Sequence, residues 1–74
     1  MLLGKVKKQV ETKENEIKLF LSNNYKESAY QSYKEYVDLL TELHTNGKIN
    51  DKDFSKLITK SEDYKKLFSQ FINQ

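Results

Sequence analysis

The sequence predicts an all-α protein, an antiparallel three-helix bundle with helices at about 2–22, 24–46 and 50–73. Three observations predict it. The 74 residues contain no proline and only two glycines, Gly4 and Gly47, so nothing breaks a long helix except at the ends. Apolar residues recur with the helical period through three segments of similar length. Between the second and third of these, one helix stops and another starts within a few residues, from Thr45 to Phe54.

That turn is read from four local signals. Gly47 takes the left-handed conformation that closes a helix without a Cβ clash. Asn50 is placed to cap the next helix by accepting a bond from the backbone N–H of Asp53 or its neighbour. Asp51 and Asp53 put negative charge in the first turn, where the helix dipole favours it. Ile49 and Phe54 occupy the two staple positions that fix the angle of entry.

The middle segment has the clearest periodicity. Asn24 followed by Glu27 has the spacing of an N-cap and its N3 partner. Tyr25, Ala29, Tyr30, Tyr33, Tyr36, Val37, Leu39, Leu40 and Leu43 share one half of the helical wheel. An apolar arc that wide exceeds the ~100° stripe of a helix with one neighbour and predicts two partners. In the third segment Phe54, Leu57, Ile58, Tyr64, Leu67, Phe68, Phe71 and Ile72 keep one register, with Ser61 on the apolar side. Thr59-Lys60-Ser61-Glu62 repeats the capping-box spacing inside it, but the register does not slip, which favours one helix over two. The first segment has the narrowest stripe, made of Leu3, Val6, Val10, Ile17, Phe20 and Leu21. Lys13 and Glu14 interrupt it, so its N-terminal half is expected to be poorly anchored. Ser22-Asn23-Asn24 forms a short turn, and short connections make antiparallel neighbours.

Length and composition set further bounds. Residues 1–74 make one small domain with a modest core, burying about 60% of the surface its unfolded chain exposes. Without cysteine there is no disulfide framework and no thiolate metal site. No segment approaches the roughly 18 apolar residues of a membrane span, and Met1-Leu2-Leu3 is too short an apolar run for a signal peptide. The expected location is cytoplasmic, with no membrane partner. All thirteen basic side chains are lysine and the net charge is +2. Lysine- and asparagine-heavy usage suggests an A/T-rich coding sequence, as in a low-GC bacterium, its phage or a plasmid. Arginine is the usual reader of guanine edges, so its absence argues against sequence-specific DNA reading.

The turn shares parts of several familiar motifs. With Gly47 set at the invariant glycine of a calcium loop, Glu42, His44 and Asn46 fall at ligand positions and Asp53 at the last. Histidine is a poor ligand for a hard cation, and aspartate is too short for the bidentate glutamate of that loop. Leu40, Leu43, Gly47, Ile49, Asn50, Asp53 and Phe54 resemble the short C-terminal helical hairpin known as SHOCT, and the chain departs from it at Lys48, where that family is usually apolar. A capped αα-turn has the same requirements, so the resemblance implies a helical hairpin. A DNA-binding helix-turn-helix does not fit: Asp53 falls where an apolar residue is required, and Leu43 where a small one is. Lys5-Lys7-Lys8 and Lys52, Lys56, Lys60, Lys65 and Lys66 have acids nearby, the pattern of a solvated charged face.

Catalysis finds no support. His44 is the only histidine, set near a helix C-terminus where a cation is mildly favourable, and no nucleophile–base spacing or phosphate loop occurs. No catalytic, cofactor-binding or metal-binding residue is assigned, and no cofactor is expected. The expected function is that of a small non-enzymatic protein acting by protein–protein contact: an adaptor, inhibitor or assembly factor. The alternatives are a nucleic-acid-associated protein that uses lysine-rich faces without base readout, and a self-associating structural module. Candidate partner-binding residues are Leu3, Val6, Val10, Tyr30 and Tyr33, because an interrupted stripe at helical spacing suits a partner helix and tyrosine is enriched in binding hot spots. Gly47, Ile49, Asn50 and Phe54 are the structural turn residues.

Overall fold

The computed structural model describes residues 4–72, with side chains through residue 70. Helices α1 (Gly4–Ser22), α2 (Lys26–Thr45) and α3 (Asp51–Ile72) form an antiparallel three-helix bundle 37 Å long. Helix α2 is central and packs against both neighbours, as its wide apolar arc requires. Among the described residues no α1–α3 pair of Cα atoms comes within 8 Å. The core is Val6, Val10 and Ile17 from α1, Ala29, Tyr36, Leu40 and Leu43 from α2, Ile49 from the second turn and Phe68 from α3.

Both turns close their helices with the same backbone device. After α1, Asn24 has φ +61°, its N–H bonds Leu21 O (3.1 Å), and the Tyr25 N–H bonds Phe20 O (2.8 Å). After α2, Gly47 has φ +73°, its N–H bonds His44 O (3.1 Å), and the Lys48 N–H bonds Leu43 O (2.8 Å). Each pair of bonds satisfies carbonyls that the helix end leaves open, the Schellman arrangement. Asn24 therefore is not the N-cap of α2. It supplies the left-handed residue that ends α1, a conformation asparagine tolerates better than other side chains. Tyr25 takes the N-cap position of α2 without a side-chain cap bond. Its ring is exposed rather than part of the core, held 6.4 Å from the Phe20 ring in the hydrophobic contact that accompanies such turns. At the second turn Asn50 Oδ1 accepts the Asp53 N–H at 2.8 Å, Ile49 is buried, and Phe54 packs against the core.

Helix α3 is continuous through residue 60. The capping-box hydroxyls inside it bond backwards instead: Thr59 Oγ1 donates to Ser55 O (2.9 Å) and Ser61 Oγ to Ile58 O (2.6 Å).

The expectation of a poorly anchored α1 is corrected for the described part of the helix. Val6 and Val10 are buried. Glu14 does not break the stripe, because its carboxylate is buried with partners from both other helices. Glu14 Oε2 accepts from Tyr36 Oη at 2.8 Å and pairs with Lys60 Nζ at 3.0 Å. Lys13 turns aside to Glu35 of α2. A charged residue can therefore continue an apolar stripe where neighbouring helices complete its bonding.

Candidate interaction surfaces

The middle of the molecule is a polar tie between all three helices. Glu14, Tyr36 and Lys60 supply one side chain each. Burial, followed by the bond to Glu14, pushes the Tyr36 hydroxyl far above its ordinary range, so it stays a donor. Beside this tie, Ser32 Oγ donates to Glu16 Oε1 (2.6 Å), and Lys13 Nζ donates to Glu35 Oε1 (2.6 Å) and Glu16 Oε1 (3.4 Å). The bond to Glu35 holds the Lys13 ammonium above the usual lysine value, and the same bond holds the Glu35 carboxyl below its own. No buried side-chain polar atom among the described residues lacks a partner. Ser32 and Glu14 were missed as interior residues. The signal for both was position, since each lies on its helix's apolar arc, as Ser61 does.

The half of the bundle that carries the first turn is aromatic. Tyr30 and Tyr33 stack on each other with ring centroids 6.1 Å apart, and both lie against the buried Phe68, at 5.5 and 5.4 Å. Lys34 Nζ lies 5.0 Å from the Tyr30 centroid. Burial pushes the Tyr33 hydroxyl up, and does the same at Tyr64, whose ring meets that of Tyr36 edge-on. The large apolar side chains exposed among the described residues are Leu19 (60%), Tyr25 (60%) and Leu67 (37%), all in this half.

The five candidate partner-binding residues do not come together. Leu3 lies outside the described residues. Val6 and Val10 face the chain's own core, on the side of α1 that packs against α2. Val6 shares a depression with Leu43, about 20 Å along the helix axis from Tyr30. Of the five, Tyr30 and Tyr33 remain at the surface, half-buried, in the aromatic half.

At the other end, His44 stacks on Phe54 with centroids 4.1 Å apart, and its Nε2 lies 2.6 Å from Asp51 Oδ1. The histidine thus joins α2 to α3 across the second turn. No cluster of three or more metal-ligating side chains occurs among the described residues, and no helix there is long and apolar enough to cross a membrane. The chain matches no family model, no curated protein and no solved structure.

Proposed function

We propose that this protein acts without catalysis, by contact with a protein partner through its aromatic half, in the manner of an adaptor, inhibitor or assembly factor. The supporting observation is the concentration there of Leu19, Tyr25 and Leu67, exposed, beside the half-buried Tyr30 and Tyr33. Tyrosine brings a large apolar ring and a polar tip at low entropic cost, which is why it is enriched at the centres of interfaces. Tyr30 and Tyr33 stack on each other and pack against Phe68, so less ordering is required when a partner docks.

The test is affinity capture with mass spectrometry from the source cell, using the parent chain and Tyr25→Ser/Leu67→Ser. Both positions are exposed, so circular dichroism should show an unchanged fold. The partner retained by the parent should be lost from the variant. A variant that keeps the partner removes the aromatic half as the interface. Sedimentation of both proteins reads self-association: a parent oligomer that the two substitutions dissociate makes the partner a second copy of the chain.

A further inference from the structure

The end of the bundle opposite the aromatic half gathers charge. Residues 4–8 and 42–56 contain six lysines, at positions 5, 7, 8, 48, 52 and 56, against Glu42, Asp51 and Asp53. The remaining seven lysines and eight carboxylates nearly cancel, so the positive surplus of the chain resides at this end. It is also shaped. A depression of about 580 Å³ is lined by Lys5, Lys8, Gln9, Thr12, Lys13 and Leu39. A second, of about 320 Å³, shares Lys5 and Gln9 with it and adds Val6, Leu43, Asn46 and Lys48. Together they make an open trough along the α1–α2 seam, and among the described residues no carboxylate lines either part. Lys13 is committed to Glu16 and Glu35, whereas Lys5, Lys8 and Lys48 make no ion pair among the described residues. Gln9 and Asn46 add amide donors.

We propose that this trough binds the phosphate backbone of a nucleic-acid duplex, without reading its sequence. Lysine is a point charge that needs no fixed fork geometry, which suits a repeating phosphate array and gives no base readout. Three other anionic surfaces fit less well. A single strand wants exposed aromatic rings to stack its bases, and the aromatic ring at this end, Phe54, is covered by His44. A membrane surface wants large, exposed apolar side chains beside the lysines, and those exposed among the described residues lie in the far half, while Leu39, Val6 and Leu43 of the trough are buried or half-buried. An acidic protein wants an aromatic or arginine anchor in the groove, and neither lines this one.

The test is fluorescence anisotropy with a labelled, mixed-sequence DNA duplex, titrated with the full chain. Contacts from Lys5, Lys8 and Lys48 should weaken binding about 40-fold between 50 and 200 mM salt, from the release of about three counterions. Lys5→Glu/Lys8→Glu/Lys48→Glu should lose at least about tenfold in affinity at low salt. Lys18→Glu/Lys65→Glu/Lys66→Glu carries the same net charge and should bind within about threefold of the parent. The milder Lys5→Gln/Lys8→Gln/Lys48→Gln protein gives a second reading if the reversals unfold the chain, since its salt dependence should be nearly flat. Absence of binding by the parent at low salt overturns the proposal, as does an equal loss in the two charge-reversed proteins. Competition by polyglutamate, or by phosphatidylserine vesicles, that matches the duplex charge for charge also overturns it, in favour of an acidic protein or a membrane.

Discussion

The end of the bundle that carries the Ser22–Tyr25 turn and the end that carries the Thr45–Asn50 turn share one backbone device and carry opposite side chains. Both close a helix with a left-handed residue and two backward hydrogen bonds. The first end then presents Tyr25, Leu19 and Leu67 to solvent, and the second presents lysines. The backbone requirement is thus separate from the surface chemistry, and each turn leaves its outer side chains free to vary. A small bundle can hold two unlike surfaces apart in this way, with Glu14, Tyr36 and Lys60 tying the helices together midway.

The largest expected effect tests whether the aromatic half is also the better anchored one. Phe68 is buried beneath Tyr30 and Tyr33, and Phe68→Ala should destabilise by about 3–5 kcal/mol, enough to unfold so small a domain. Phe54 is only half-buried under His44, so Phe54→Ala should cost about half as much. Thermal denaturation of both variants reads the difference. A larger loss from Phe54→Ala would make the His44 stack the main anchor of α3 and reverse the comparison.

The tie between the two ends comes next. Glu14→Ala leaves the buried Tyr36 hydroxyl without its acceptor and should cost about 1–3 kcal/mol in urea denaturation. Glu14→Leu with Tyr36→Phe removes both partners and should recover most of that loss, since Lys60 is half-exposed and can turn to water. If the double variant is as unstable as Glu14→Ala, the ion pair with Lys60, which both variants lack, rather than the orphaned hydroxyl sets the cost.

The turns themselves should respond in opposite directions. Gly47→Ala meets no atom within 4 Å of its new Cβ, so its cost is purely conformational, about 1 kcal/mol. Asn24→Gly relieves a non-glycine residue at positive φ and should stabilise by a few tenths of a kcal/mol, up to about 1. Paired melting curves decide it; a destabilised Asn24→Gly would mean that the asparagine side chain contributes more at that turn than its backbone strain takes away.

The same contrast explains what was legible in the sequence. The second turn was readable because glycine, the asparagine cap, the first-turn acids and the staple residues all point one way. The first turn was misread because asparagine serves two roles, N-cap and left-handed terminator, and only the bonds of the preceding helix decide between them. The three helices and the central place of α2 followed from periodicity. The seating of α1 did not, because Glu14 is tolerable inside only once Tyr36 and Lys60 arrive from sequence positions far away. Charge separation along the axis was hidden for a related reason. Lys5 and Lys48 meet only when antiparallel packing brings the start of α1 beside the end of α2.

The smallest effect concerns the border between the two ends, where Lys13 lines the trough but gives its charge to Glu35. The carboxyl of Glu35 is lowered in the fold, so its contribution to stability is present above its ordinary value and is lost as pH falls through the lowered one. The ammonium of Lys13 is raised, so its contribution is present below the ordinary lysine value and is lost only as pH rises through the raised one. The pair therefore stabilises across the neutral window and fades at both extremes. The melting-temperature difference between the parent and Glu35→Gln should be small, because the pair is largely solvated, and flat from about pH 6 to about pH 9. It should shrink toward zero in acid and again in strong base. A difference that persists in strong base, where Lys13 has lost its charge, would assign the effect to Gln31, which also donates to Glu35 and does not titrate, rather than to Lys13. Glu35→Gln also leaves Lys13 with only its longer contact to Glu16 and removes one negative charge beside the trough, so duplex affinity at low salt should rise, against the stability change. An unchanged affinity would place the edge of the basic end before Lys13, at Lys5, Lys8 and Lys48.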